Sequence, residues 1–230
     1  MKALEKIFEI KIDNQENFRR ALTHPSFTQE NGMDFVECYE RLEFLGDAVL
    51  KLSVSDILFE KYPNFPEGEM SKIRSIVVSD ATLFDLAKKI GLPELLIIGK
   101  HEDKQGCRNL ESILACSFEA ILGAYYLDGK FNEIKNFIKE NLNPYIEDVQ
   151  NNAAKYNAKA ILQEYTQGLT KETPKYTLID EIGPEHNKVF VIEVSYQDKV
   201  LAQGKGKTKK EAEQHAAYEA CKILGVGENE

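Results

Sequence analysis

The sequence predicts two domains of different fold class. They are an all-α domain over residues 1–148 and an α+β domain, ordered α-β-β-β-α, over residues 157–226. In the first part, apolar residues recur at intervals of three and four, the spacing of amphipathic helices. In the second part, β-branched and aromatic residues alternate with polar ones, which is typical of strands. Residues 149–156, centred on an unpatterned polar stretch at 150–154, are expected to form a linker.

Seven helices are predicted in the first domain, and a chain of 230 residues has room for two domains of this size. Turn residues such as Asn31-Gly32, Pro63 and Asp128-Gly129 separate the helical segments. The predicted helices are Leu4–Phe8, Gln15–Leu22, Cys38–Lys61, Glu67–Val78, Asp80–Ile90, Arg108–Leu127 and Phe131–Asn141.

The second domain is predicted to begin and end with a helix. The first is Ala158–Gly168, and the last starts at Thr208, where Thr208 and Glu211 match a capping box. Between them, three strands are expected at Pro174–Ile182, Lys188–Tyr196 and Val200–Gly204.

The composition argues against a membrane protein or a disulfide scaffold. No stretch approaches the roughly 18 apolar residues that a membrane helix needs, and acids occupy the start where a signal peptide is apolar. The cysteines form no Cys-x-x-Cys pair and are interpreted as reduced thiols. We therefore expect a soluble, cytoplasmic protein with no membrane partner. These cysteines are Cys38, Cys107, Cys116 and Cys221.

The net charge of −9 is unevenly distributed. Residues 1–150 carry −8 of it, and residues 151–230 carry −1. In the second part, lysines fill four of the six positions 205–210 with no acid between them. An acidic first domain suits cation binding, and a local basic patch suits contact with nucleic acid.

Three carboxylates share one strip of the predicted helix over residues 40–50. At about 100° per residue, Glu40, Glu43 and Asp47 fall within roughly 60° of one another. We expect the apolar side chains on the opposite side to build a core, and these are Leu42, Leu45, Val49 and Leu52. Like charges at this spacing repel, so a hard cation such as Mg²⁺ would relieve them. An ordinary solvated acidic face is the alternative.

The segment ERLEFLGDAVL at 40–50 closely resembles the signature of the bacterial ribonuclease III family. The segments ALTHPS at 21–26, EGEMS at 67–71 and ESILA at 111–115, followed by Glu119-Ala120, resemble further motifs of that family. The C-terminal unit resembles a double-stranded RNA-binding domain. The resemblance therefore implies a helical endonuclease domain followed by an RNA-binding domain.

This resemblance also implies a reaction. It is Mg²⁺-dependent hydrolysis of double-stranded RNA, with Mn²⁺ as a substitute, leaving 5′-phosphate and 3′-hydroxyl ends. Ribosomal RNA precursors and structured messenger RNAs are the implied substrates. Glu43, Asp47 and Glu119 would hold the metal, with Asp47 and Glu119 catalytic. Glu40, Glu67 and Glu102 match further acidic positions of the family near the cleavage site. Of these, Glu67 and Glu102 would tune RNA placement or a second metal, or are simply surface acids.

Cys116 departs from the family pattern, which has aspartate at that metal-ligand position. A thiol is a soft ligand and a poor match for Mg²⁺. Either the metal keeps a water there and binds more weakly, or another acid such as Glu111 or a flanking residue compensates. A third interpretation is a small packed residue without a role. We expect activity to survive, with a higher Mg²⁺ requirement.

Phe44 is expected at a dimer interface. It projects about 40° from the direction of Glu40, on the acidic side of the helix and away from its apolar stripe. In the family, the matching phenylalanine enters a pocket of a second subunit, which implies a homodimer with two active sites across one duplex. Burial against another helix of the same chain is the alternative.

Three surfaces of the C-terminal unit are candidates for recognising duplex RNA by shape. Polar side chains of its first helix can reach 2′-hydroxyls, a turn residue can enter a second minor groove, and lysines at the start of its last helix can meet phosphates. The residues are Gln163, Glu164 and Gln167, then His186, then Lys207, Lys209 and Lys210.

Two other functions are alternatives to this one. A module that binds duplex RNA without cutting it is conceivable because of Cys116. A redox di-metal bundle would need Glu-x-x-His pairs, and neither Glu43 nor Glu119 is followed by histidine three residues later.

Overall fold

The computed structural model describes residues 1–183 and 188–226. Contacts between residues divide the chain into two units, Met1–Asp148 and Val149–Glu230. The first unit is helical and the second contains a three-stranded antiparallel sheet with helices, which confirms the predicted fold classes.

Nine helices begin in the first unit, all of whose residues the structure describes, and short 3₁₀ turns join some of them. Helix α8 is apolar on nearly all sides, and its middle, from Ile113 to Tyr125, is buried apart from the half-buried Cys116 and Glu119, as expected for a central helix. The helices are α1 Lys2–Phe8, α2 Gln15–Ala21, α3 Pro25–Glu30, α4 Glu40–Lys61, α5 Glu67–Val77, α6 Asp80–Lys89, α7 Lys100–Lys104, α8 Glu111–Leu127 and α9 Phe131–Asn151.

Helices α4 and α8 cross with their backbones in contact. A Cβ atom added to Gly46 of α4 would lie 1.7 Å from the carbonyl oxygen of Glu119. A Cβ atom added to Gly123 of α8 would lie 2.4 Å from the carbonyl oxygen of Leu42. Two glycines therefore allow an approach that no other residue permits, and this approach brings the acidic strip of α4 beside Glu119.

The structure differs from the sequence prediction at several elements. Helices α3 and α7 were not predicted; α3 starts with Pro25 at its first position, where a missing N–H is harmless. Helix α9 continues past Asn141 and through Pro144, because Leu142, Ile146 and Val149 extend its buried stripe.

Two further expectations need correction. The segment 149–156, expected to be an unpatterned linker, is largely helical: α9 ends at Asn151, and α10 covers Ala153–Tyr156. Leu52, expected in the core, is 57% exposed, whereas Leu42 and Val49 are buried as expected. The core stripe of α4 instead continues through Val54 and its neighbours.

The second unit packs two helices against the sheet. Helix α11 is Ala158–Thr170 and α12 is Lys209–Leu224, while the strands β1 Lys175–Ile182, β2 Val189–Tyr196 and β3 Lys199–Gly206 pair in the order β1-β2-β3. Small residues let α12 lie close to β3, where a Cβ atom on Gly204 would meet the backbone of Ala216 at 2.1 Å. The shared core consists of Ala158, Leu162, Val194, Ala202, Ala216, Ala217, Ala220 and Cys221.

The start of α12 has the predicted cap. The backbone N–H of Glu211 donates to Thr208 Oγ1 at 3.1 Å, and Glu211 Oε2 accepts from the backbone N–H of Lys207 at 2.7 Å. The carboxylate thus reaches one residue further back than in the usual capping box. The lysines at this helix start are attached to a well-defined backbone.

Candidate active site

Carboxylates from three helices line one open cleft of about 710 Å³ in the first unit. Helix α4 contributes Glu40, Glu43 and Asp47, α8 contributes Glu119, and α6 contributes its first residue, Asp80. The remaining lining residues are Phe44, Lys51, Ser75 and Val78. The strip of acids seen in the sequence therefore faces a cavity that also receives acids from two other elements.

Glu119 is the acid most affected by this environment. Its side chain is half-buried and forms no hydrogen bond or ion pair within the described ranges 1–183 and 188–226. Burial, reinforced by the negative charges of Asp47, Glu43 and Asp80, raises the pKa of Glu119 to about 8. At neutral pH without a cation, this carboxyl group therefore carries a proton.

Cys116 acts on Glu43 rather than facing the cleft as an anion. Its thiol lies close enough to the Glu43 carboxylate for each group to shift the pKa of the other. Burial, this interaction with Glu43 and the charges of Glu119 and Asp80 raise the pKa of Cys116 to about 12, so the thiol stays neutral. Burial is also the main reason why the pKa of Glu43 is raised, and the interaction with Cys116 opposes that rise.

Lys51 is the only cation among the described residues that line the cleft. Its Nζ lies 2.7 Å from Asp47 Oδ2, one helical turn away on α4. Its charge also lowers the pKa of Glu119 against the larger upward influences. Lys51 is therefore an internal counterion of the acidic cleft.

The chemical type of the side chains that line the cleft suits a hard divalent cation. Five carboxylates line the cleft, and Mg²⁺ prefers their oxygens; the unpaired Glu119 carboxyl group would exchange its proton for the ion. Within the described residues, however, no three His, Cys, Asp or Glu side chains are arranged as a ready-made metal site. The side chains must turn inward to bind an ion, and Asp47 must leave Lys51.

Two of the predicted auxiliary acids lie outside this cleft, while Glu40 lies within it. Glu67 starts α5 and accepts a hydrogen bond from Ser71 Oγ at 2.6 Å. Glu102 lies on α7, where its Oε2 atom is buried without a hydrogen-bond partner among the residues that the structure describes. Glu111, considered as a replacement ligand, is exposed at the start of α8 and does not line the cleft.

Sequence reasoning missed Asp80 and Lys51. Asp80 was seen only as the start of a helix, and nothing local indicates that α6 points its first residue at α4 and α8. Lys51 had a usable signal: it follows Asp47 by four residues, and such pairs meet on a helix surface.

Phe44 lies at the cleft and is 84% exposed, so the first unit does not bury it. The alternative interpretation, burial against another helix of the same chain, is therefore not supported within the first unit. An aromatic ring left this exposed is available to a partner.

The proposed RNA-contacting side chains of the second unit are exposed where the structure describes them. Gln163, Glu164 and Gln167 lie on the face of α11 opposite buried Leu162 and Thr166. Lysines precede and begin α12, and all are exposed: Lys207, Lys209 and Lys210. His186 falls outside the described residues.

Both units match known protein families. A sequence model described as ribonuclease-III-like matches residues 14–146, and one for the double-stranded RNA binding motif matches residues 158–224. Ribonuclease 3 of Staphylococcus epidermidis is 41% identical over 219 residues, covering 95% of this chain and 89% of its own. Ribonuclease 3 of Staphylococcus aureus is 42% identical over 212 residues, covering 92% and 86%.

A solved structure resembles the first unit. It is the nuclease domain of ribonuclease III from Campylobacter jejuni, with a TM-score of 0.56 and 33% identity, covering 61% of this chain and 96% of that one. That work describes flexibility in a region involved in dimer formation of that domain. None of the helices in the described ranges is long and apolar enough to cross a membrane.

The fold and the acidic cleft thus define a helical nuclease domain joined to a module of the double-stranded RNA-binding class. The chain belongs to the ribonuclease III family, a family of endoribonucleases.

Proposed function

We propose that this protein is a Mg²⁺-dependent endoribonuclease that cuts double-stranded RNA and leaves 5′-phosphate and 3′-hydroxyl ends. The observation that carries the proposal is the single cleft that Glu43, Asp47 and Glu119 line from two crossing helices. A concentration of carboxylates with a half-buried, unpaired member suits a divalent cation.

A bound Mg²⁺, or Mn²⁺ in its place, would supply charge neutralisation at the scissile phosphate and activation of an attacking water. Glu43, Asp47 and Glu119 would hold it. Asp47 would orient the water and accept its proton, while Cys116 stays beside Glu43 as a neutral thiol. The water oxygen bonds to phosphorus, the bond from phosphorus to the 3′ oxygen breaks, and that oxygen takes up a proton.

The second unit would bind the duplex by shape. The exposed amides and carboxylate of α11 suit 2′-hydroxyls in a minor groove, and the lysines at the start of α12 suit phosphates. His186 belongs to the same proposal by resemblance alone. Precursors of ribosomal RNA and structured messenger RNAs in the cytoplasm are the proposed substrates.

The protein is further proposed to act as a homodimer. Phe44, exposed beside the cleft, would enter a pocket of a second copy, and two-fold symmetry would set one cleft against each strand. Glu67 and Glu102 lie outside the cleft of a single chain, so any part they play would be in placing RNA.

A labelled duplex of defined sequence tests the reaction. We expect short products with Mg²⁺ and none with EDTA, and Glu119→Gln should remove cleavage while the gel shift of the duplex persists. The proposed chemistry is supported if the products can be rejoined by a ligase that requires 5′-phosphate and 3′-hydroxyl ends. A shift by the parent protein with no products at any Mg²⁺ concentration would favour the second candidate, an RNA-binding module disabled by the neutral thiol of Cys116.

A further inference from the structure

We propose that Asp80 is an additional metal ligand of the cleft, completing the oxygen set at the side where Cys116 offers only a thiol. This inference rests on the proposed metal-dependent function and extends it to a residue that neither the motifs nor the sequence pattern indicated. It assigns α6 a direct part in a site otherwise built from α4 and α8.

The position of Asp80 supports this role. Helix α6 packs against α8 and begins at Asp80, whose side chain lines the same cleft as Glu43 and Glu119. Its charge is close enough to raise the pKa values of Glu43, Cys116 and Glu119. Asp80 is therefore near Glu43 and Glu119, two of the three acids proposed to hold the ion.

The Asp80 carboxylate is also unused by its own helix. The N–H groups at a helix start lack partners within the helix, and an acid there can accept a hydrogen bond from them. Asp80 accepts no hydrogen bond and forms no ion pair within the parts of the chain that the structure describes. Its oxygens are free to bind an ion.

Cys116 explains why a further oxygen is needed. Its thiol is neutral, and a thiol binds Mg²⁺ poorly. The carboxylate introduced by Cys116→Asp would face the same acids, so it should replace the Asp80 carboxylate to a large degree. If one carboxylate can replace the other, Asp80 acts as a ligand; a general effect of its charge would be the same with or without Asp at position 116.

Mn²⁺ binding to the full-length protein without RNA, measured from the EPR signal of free Mn²⁺ at pH 8, tests the proposal. Asp80→Asn should weaken binding by about tenfold or more. The matched control is Asp85→Asn, which removes the same charge from an exposed position of α6 outside the cleft, and it should change the affinity less than about twofold.

The decisive comparison uses Cys116→Asp. Combined with Asp80→Asn it keeps the cleft charge of the parent, and its affinity should return to within about threefold of the parent value. If Asp80→Asn causes an equal loss in the parent and in the Cys116→Asp variant, Asp80 acts only through its field and the proposal is overturned. Equal affinities of Asp80→Asn and Asp85→Asn would overturn it as well.

Failure of this inference can be distinguished from failure of the proposed function. A parent that binds no Mn²⁺ and cuts no duplex refutes the function itself. A parent that does both, with an unchanged Asp80→Asn variant, refutes only the ligand role. Melting temperatures of all variants verify folding, and Asp80→Ser, also suited to a helix start, replaces Asp80→Asn if the latter fails to fold.

Discussion

Replacing Gly46 by alanine should push α4 away from α8 and open the acidic cleft. The new Cβ atom would stand 1.7 Å from the carbonyl oxygen and 2.4 Å from the carbonyl carbon of Glu119. A carbon–oxygen contact normally needs about 3.3 Å, so the two backbones must separate by roughly 1.6 Å. The obstacle is helix backbone, which cannot turn aside as a flexible side chain can.

Two measurable losses follow. Overpacking of a core typically destabilises by about 1–3 kcal/mol, and we expect the upper end here, about 3 kcal/mol by urea unfolding. Because Glu119 moves relative to Glu43 and Asp47, a displacement of about 1 Å should lower the cleavage rate about a hundredfold. Both the unfolding free energy and the rate at saturating Mg²⁺ are to be measured.

Gly68→Ala is the matched control. Gly68 lies in α5, with no atom within 4 Å of an added Cβ, so alanine should be tolerated or should stabilise by up to about 1 kcal/mol. If Gly46→Ala unfolds at the same urea concentration as Gly68→Ala and cleaves duplex at the parent rate, the close crossing does not position the site.

Four further outcomes are expected. Because Glu119 has a pKa of about 8, only about a tenth of it is ionised at pH 7, so Mn²⁺ affinity should rise about ninefold from pH 6 to 7 and about fivefold from pH 7 to 8; a flat profile would contradict this. The metal-free protein should also lose stability as pH rises through that range. The unfolded state has already released the Glu119 proton at these pH values, whereas the folded state still binds it. Lys51→Met should free Asp47 and tighten Mn²⁺ binding by up to about fivefold, and unchanged or weaker binding would count against its counterion role. In sedimentation experiments at micromolar concentration, Phe44→Asp should convert the dimer to a monomer, whereas Phe59→Asp, at another exposed position of α4, should leave it a dimer. If both variants are monomers, or both are dimers, Phe44 has no specific role in the interface.

The sequence was informative where local rules dominate. Helices α4, α5 and α6 end within one residue of their predicted ends, because Pro63, Pro66 and Gly91 mark the turns that follow or precede them. The acidic strip of α4 followed from helix geometry alone. The predicted cap at Thr208 is confirmed because a capping box depends on four consecutive residues.

What the sequence could not supply depends on tertiary packing. The burial of Leu142, Ile146 and Val149 carries α9 through Pro144, although a proline inside a helix removes a hydrogen bond. Asp80 joins the cleft only because α6 lies against α8, and no local spacing encodes that contact. Family motifs, in turn, grouped Glu67 and Glu102 with the site, whereas the cleft of a single chain excludes them.

The negative charge of the carboxylates in the cleft can be neutralised by three alternative positive groups. The proton on Glu119, the ammonium group of Lys51 and a divalent cation all neutralise the same negative field. Because they compete, acid pH and Lys51 should each oppose the metal, and their effects should not add independently. Lys51 lowers the pKa of Glu119, so removing it strengthens the hold of the proton while freeing Asp47 for the ion. The benefit of losing Lys51 should therefore be largest above pH 8, where the proton no longer competes.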